Sequence, residues 1–145
     1  MLFRSLVVSQ KTGNIAAIAS NKFGKWTIVE NDTSWNMTVD QMISDLFYSQ
    51  DGSTLVAVLK DKGFWTIAVN QKKWSLAADK VFHPCISPDG KIVCVVIEKK
   101  GQYFLAVNNR VIPNGYDFMA TPVISPDNTK ILQKAVKDGD RKSVV

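Results

Sequence analysis

The chain has 145 residues, of which 46% are apolar and 21% charged, with a formal net charge of +5. That length suits one domain, 1–145, and the composition is that of a folded globular chain rather than a disordered one. No apolar run approaches the roughly 20 residues of a membrane helix, which excludes direct insertion by a helix.

Taken in chain order, the sequence restates one unit. RSLVVS runs into the turn SQKTG at 9–13; NIAAIAS follows, then a second turn at Gly24, then KWTIVEN and a short outer strand near Trp35. The second unit has FYSQDG at 47–52, STLVAVL, Gly63, FWTIAVN and Trp74. The third has CISPDG at 85–90, KIVCVVI, Gly101 and QYFLAVN, and the fourth VISPDN at 123–128, TKILQKAV, Gly139 and RKSVV. Ser49, Ser87 and Ser125 stand 38 and 38 apart, with Ser9 another 40 before them. The repeats are approximately 3–41, 42–80, 81–118 and 119–145.

Each step has a physical reason. Gly accepts the positive φ of a hairpin turn, and Pro presets the backbone of the residue it occupies. In WTIAVN, alternation sends Trp65, Ile67 and Val69 to one face and Thr66, Ala68 and Asn70 to the other. KIVCVVI is almost wholly apolar, so both of its faces should be covered. β-Branched and aromatic residues dominate and helical periodicity is absent, so the class is all-β. About four short antiparallel strands in 38–40 residues correspond to one blade of a β-propeller. The four tryptophans form two identically spaced pairs, Trp26/Trp35 and Trp65/Trp74. A pair that recurs with the repeat reads as packing anchors rather than a site. Tyr103 and Ile112 take the same places in the third repeat, and Arg141 takes the first place in the fourth.

Few residues invite a chemical reading. His83, the only histidine, precedes an inner strand at the position held by Asp45 and Thr121 in neighbouring repeats. Such a polar ring at a channel mouth would bind something small; the plainer role is to cap a turn. No nucleophile elbow accompanies His83, so a Ser-His-Asp triad has no support. Asp51, Asp89 and Asp127 recur at one turn position, where an Asp carboxylate accepts backbone N–H groups, whereas a metal would need several oxygens at one point. Cys85 and Cys94 lie in strand-like segments and read as buried thiols, not as a metal or redox motif. The segment NNRVIPNGYDF, 108–118, departs most from its counterparts and makes Arg110, Asn114 and Tyr116 the preferred partner-binding loop. No phosphate loop, Cys/His cluster or haem-attachment motif is present, so neither a cofactor nor a catalytic residue is expected.

The lysines are spread over turns at Lys60, Lys62, Lys72, Lys73, Lys99 and Lys100, not massed in a stripe, which argues against nucleic acid as a partner. MLFRSLVVSQ lacks the cleavage site of a secretory signal, and the expected location is cytoplasmic. The pattern of SPDGK, apolar strand, Gly, aromatic and VN resembles the TolB-like and WD-repeat-like propellers. More narrowly, the unit GFWTIAVNQKKW followed by an S-P-D-G turn resembles the D subunits of the Tmc transmembrane redox complex of sulfate-reducing bacteria, over residues 5 to 140. That resemblance implies a cofactor-free scaffold subunit beside the subunits of a membrane-associated electron-transfer complex, with no catalytic residues to carry over.

A fourth repeat that stops within its third strand would leave an edge unpaired, which proteins normally cover. The expectation is therefore a non-catalytic interaction module, either a partial or split propeller completed by another chain as a homo-oligomer or within a larger assembly, or a piece of a longer propeller. A closed four-blade ring is the alternative architecture. The alternative function is a propeller that binds a small ligand or serves as the accessory domain of a hydrolase.

Overall fold

A computed structural model describes residues 2–22 and 24–144. The chain divides into two compact units, Met1–Ser75 and Leu76–Val145, and all of its named elements are strands.

The first unit holds two four-stranded antiparallel sheets of the same design. In the first, β1 (Leu2–Val8), β2 (Ile15–Lys22), β3 (Lys25–Glu30) and β4 (Thr33–Ser34) pair in sequence order. In the second, β5 (Met42–Tyr48), β6 (Leu55–Asp61), β7 (Phe64–Val69) and β8 (Lys72–Lys73) do the same. The ladders slip at one equivalent place, between Arg4 and Val7 on β1 and between Ile43 and Asp45 on β5.

The second unit repeats the design with its innermost strand in two pieces. Its first sheet has β9 (Lys80–Val81) and β10 (Cys85–Ile86) both paired to β11 (Val93–Lys99), followed by β12 (Gln102–Val107) and β13 (Arg110–Val111). In its second sheet β14 (Phe118–Met119) and β15 (Val123–Ile124) both pair with β16 (Ile131–Lys137), and β17 (Asp140–Val144) pairs with the far side of β16. The breaks fall at Pro84 and Pro122. A proline has no N–H for the ladder, so the slip of the first two repeats becomes an interruption here.

Turn chemistry explains the repeat. In all four repeats the serine N–H bonds the carbonyl five residues on: Ser9 to Asn14 and Ser49 to Thr54 at 2.8 Å, Ser87 to Ile92 at 2.8 Å and Ser125 to Lys130 at 2.9 Å. From the second repeat on, the serine hydroxyl also donates to the turn aspartate, at 2.7 Å for Ser49–Asp51 and 2.6 Å for Ser87–Asp89 and Ser125–Asp127. The first turn, SQKTG, has no aspartate, and Ser9 Oγ instead accepts the Thr12 N–H at 3.2 Å. Gly52, at φ 76°, sits where a Cβ would collide with Ser9 and Thr12 of the neighbouring sheet's turn, so only glycine fits there.

A second set of turns runs through Asn31–Asp32, Asn70–Gln71 and Asn108–Asn109, all with two successive positive φ values of 46–71°. This is the type I′ hairpin conformation, which Asn tolerates better than most residues. The carboxamide oxygen of the first Asn accepts the N–H that opens the second strand of its repeat: Ile15 at 3.0 Å, Leu55 at 2.8 Å and Val93 at 2.9 Å. A third set locks the opposite end of each hairpin. Asp40 accepts the Lys62 N–H at 3.0 Å, Asp79 that of Lys100 at 2.8 Å and Asp117 that of Asp138 at 2.8 Å.

Packing is between sheet faces. In the first unit Ala16, Ile18 and Ile28 of the first sheet meet Leu46, Leu55, Ala57 and Leu59 of the second, with Trp35 and Val39 buried among them. In the second unit Cys94, Val96 and Leu105 meet Met119 and Ala135, with Ile124 and Ile131 packed against them. The central strands are covered on both sides, as expected for their apolar sequences: Leu55–Leu59 and Val93–Ile97 are buried throughout.

The tryptophans divide by position. Trp35 and Trp74, beyond the short outer strands, are buried. Trp26 and Trp65, on the third strands, are half-buried, with Arg4 over the Trp26 ring at 4.3 Å and Lys60 near the Trp65 ring at 5.6 Å. Tyr103 stacks on Phe82 at 5.7 Å and meets Phe118 at 5.9 Å. The side chain of Arg141 lies outside the described residues.

Candidate interaction surface

Alternation along the second strand of each repeat divides its side chains into two sets on opposite faces of the sheet. In the first unit the first set of β6 faces the first sheet and the second set of β2 faces the second sheet. Ile15, Leu55 and Val93 occupy the same position of the first set, six residues after the marker serine. Leu55 and Val93 are 0% and 2% exposed, while Ile15 is 44% exposed. Its surroundings on β1 are similarly open, with Phe3, Leu6 and Val8 all exposed. The register sets Val8 opposite Ile15 and Phe3 opposite Ala19, so these side chains share a face, and Leu6 belongs to the irregular stretch between them. Phe3, Leu6 and Ile15 form a shallow cleft of about 340 Å³ with Ala17 and Val29, bordered by Asn31 and Asp32.

The last sheet has the opposite face open. Leu132 is 47% exposed, whereas its counterparts Ala16, Val56 and Cys94 are 2%, 0% and 0% exposed. Opposite it stands Val123, which is exposed too. The two uncovered faces thus have opposite roles in the repeat. In the first unit the counterpart of the first open face, on β6, receives the first sheet; in the second unit the counterpart of the last open face, on β11, receives the last sheet.

Polar groups tie the first two sheets together behind the first open face. The Glu30 carboxylate accepts from the Trp35 indole at 3.1 Å and from the Tyr48 hydroxyl at 3.0 Å. Burial, and then the hydrogen bond to Glu30, push the Tyr48 hydroxyl far above its ordinary value of 10. The Arg4 guanidinium donates to the Ile43 carbonyl at 3.2 Å. Elsewhere in this unit Asp61 pairs with Lys73 at 2.7 Å. Burial would raise the Asp61 carboxyl, but the Lys73 ammonium and the Asp40 N–H outweigh it and hold it at about 2. Hydrogen bonds from Ser53 and Ser49 lower Asp51, and those from Ser125 and Thr129 lower Asp127, so these recurrent carboxylates serve their own turns.

The residues singled out from sequence are placed as follows. Asp45 is exposed on β5 of the first unit, while His83 and Thr121 are exposed beside the breaks at Pro84 and Pro122 in the second. Ser5, at φ 54° in the β1 irregularity, holds the same repeat position, four residues before the marker serine, and completes that series. In the 108–118 segment Arg110 and Asn114 are exposed. Tyr116 instead pairs its backbone with Tyr103, at 2.9 Å in both directions, and packs its half-buried ring against the core. Sequence reasoning missed the open faces, which no single repeat reveals. It also missed the Asp40, Asp79 and Asp117 series, which its spacing of 39 and 38 could have shown.

Among the described residues no three His, Cys, Asp or Glu side chains converge to hold a metal ion, and no helix is long and apolar enough to cross a membrane. No family model matches the sequence, and no curated protein does. Solved structures do match. The β-propeller domain of the Trilobed protease from Pyrococcus furiosus aligns with 99% of this chain and 56% of its own, at 13% identity and a TM-score of 0.55. The Dos1 propeller aligns with 95% of this chain and 52% of its own, at 11% identity and a TM-score of 0.46. Kuenenia stuttgartiensis hydrazine synthase aligns with 94% and 56%, at 8% identity and a TM-score of 0.46. The chain spans about half the length of the structures it matches. Its all-β repeats and the match to the protease's propeller domain show the fold, a set of β-propeller blades.

Proposed function

We propose that the chain is a non-catalytic interaction module that docks through the open faces of its first and last sheets. The carrying observation is the exposure of Ile15 and Leu132 at repeat positions whose counterparts are buried or, at Ile131, partly buried. An apolar face of this kind on a folded chain marks a contact surface. The occupant we assign is a second copy: the last sheet of one chain lies against the first sheet of the next, following the packing rule already used within each unit. Such a contact is heterologous, so each chain uses two different surfaces.

Light scattering tests this. The wild-type chain is expected to give a mass above that of one chain at micromolar concentration. Leu6→Asp and Leu132→Asp should each give monomers, and mixing the two variants should restore a one-to-one dimer through the remaining intact pair of faces. A wild-type monomer, or variants that fail to complement while remaining folded, would overturn self-docking.

A place beside the subunits of a membrane-associated redox complex rests on the resemblance of the GFWTIAVNQKKW unit alone. Affinity capture that recovers cofactor-bearing membrane subunits would support that placement. Attachment to an enzyme as an accessory domain is the same role with the partner covalently joined.

A further inference from the structure

Cys85 and Cys94 are nine residues apart, and the tight SPDGK turn between them makes them direct cross-strand neighbours of β10 and β11. Directly opposed residues of an antiparallel pair share a face, with Cα atoms about 4.5–5.5 Å apart. A disulfide requires about 4.4–6.8 Å. The Cys94 thiol acts as a donor toward a Cys85 thiolate, which favours ionisation of Cys85 and disfavours that of Cys94. Cys94 is fully buried and Cys85 only partly so. The Cys85 thiol also donates to the Pro122 carbonyl at 3.1 Å, across to the segment that enters β15 of the next sheet.

We propose that Cys85 and Cys94 are a redox-modification site, a dithiol that closes reversibly to a cross-strand disulfide by exchange with a small-molecule disulfide of the glutathione type. Cys85 is the attacking group, because it is the accessible one. The hydrogen bond from Cys94 outweighs burial and brings the Cys85 thiol down to about 7, so thiolate is present at neutral pH. Its sulfur attacks one sulfur of the small disulfide, forming a mixed disulfide and expelling one thiolate, which takes up the proton Cys85 has lost. The Cys85 charge that opposes ionisation of Cys94 is then gone. Cys94 attacks the Cys85 sulfur, its proton goes to the second departing thiolate, and the S–S bond closes. The protein has lost two protons and two electrons, and the small disulfide has become two thiols. Closure also removes the S–H that holds Pro122, so oxidation reaches the contact between the two sheets of this unit.

The experiment equilibrates the full chain over a range of oxidised-to-reduced glutathione ratios, alkylates the remaining thiols and measures intact mass. Wild type is expected to shift from two alkylated cysteines to none, with Cys85 linked to Cys94 in one chain, and to return with dithiothreitol. Cys94→Ser should stop at a glutathione adduct on Cys85, and Cys85→Ser should leave Cys94 unmodified. Two alkylated thiols at every ratio, a stable adduct on the wild type, or a disulfide between chains would each overturn the proposal. The wild-type measurement decides even where a variant fails to fold.

Discussion

Asn70 shows how one residue carries two constraints. Its backbone sits at φ 46°, where a Cβ-bearing residue other than Asn or Asp is strained by roughly 1–2 kcal/mol. Its side chain satisfies the N–H of buried Leu55 at 2.8 Å, and leaving such a donor unpaired costs about 1–3 kcal/mol. Asn70→Gly keeps the turn conformation and loses only the side-chain hydrogen bonds, this one and the donation to the Ser53 carbonyl at 3.3 Å, whereas Asn70→Ala also loses the favourable turn conformation. Urea unfolding should therefore rank wild type above Gly and Gly above Ala, and equal stability for all three would refute the paired role. Asp61 gives a pH dependence of known sign. Its folded value of about 2 lies below its ordinary 3.8, so the unfolded chain binds the proton more readily. The contribution is complete above the unfolded value and is lost as pH falls through about 2. In Asp61→Asn, acid unfolding followed by circular dichroism should show a flatter dependence across that window.

At the scale of the strand and its hairpin, the paired tryptophans are not equivalent. Trp74 follows a two-residue edge strand and is buried, its backbone N–H bonded to Ile67 at 2.8 Å. Trp65 is half-buried beneath the Lys60 side chain. Truncating a large buried aromatic costs about 3–5 kcal/mol. Trp74→Ala is expected in that range and Trp65→Ala well below it, as measured by denaturant midpoints. The reverse order would mean that the third strand, rather than the outer one, anchors the repeat. The identical spacing of Trp26/Trp35 and Trp65/Trp74 showed that both members belong to the repeat. It carried no information on which one the neighbouring layers enclose, because that depends on side chains from other strands.

For the molecule as a whole, the open faces follow from which sheet faces have a partner within each unit: the first sheet packs on the second through one face, and the last packs on the third through one face. Ile15 and Leu55 have the same alternation, the same turn before them and the same Asn lock after them. One is exposed and the other enclosed because a sheet lies against only one of them. This is why the self-docking test uses Leu6→Asp and Leu132→Asp: each places a charge on a single face without touching the packed faces between sheets. The variants should keep the wild-type circular dichroism spectrum while losing the larger mass.

The strand order, the turns at Gly24, Gly63, Gly101 and Gly139, and the all-β class were legible in the sequence, because each depends on residues within about ten positions of one another. The role of the serine and aspartate turns was legible for the same reason. Two further features became visible only in three dimensions. The nine-residue separation of Cys85 and Cys94 concealed a direct pairing, since register across a hairpin decides which residues face each other. The exposure of Phe3, Leu6 and Ile15 likewise depends on which sheet faces have a neighbour. Local chemistry determined the repeat; packing between sheets decided which copies of the same side chain are core and which are surface.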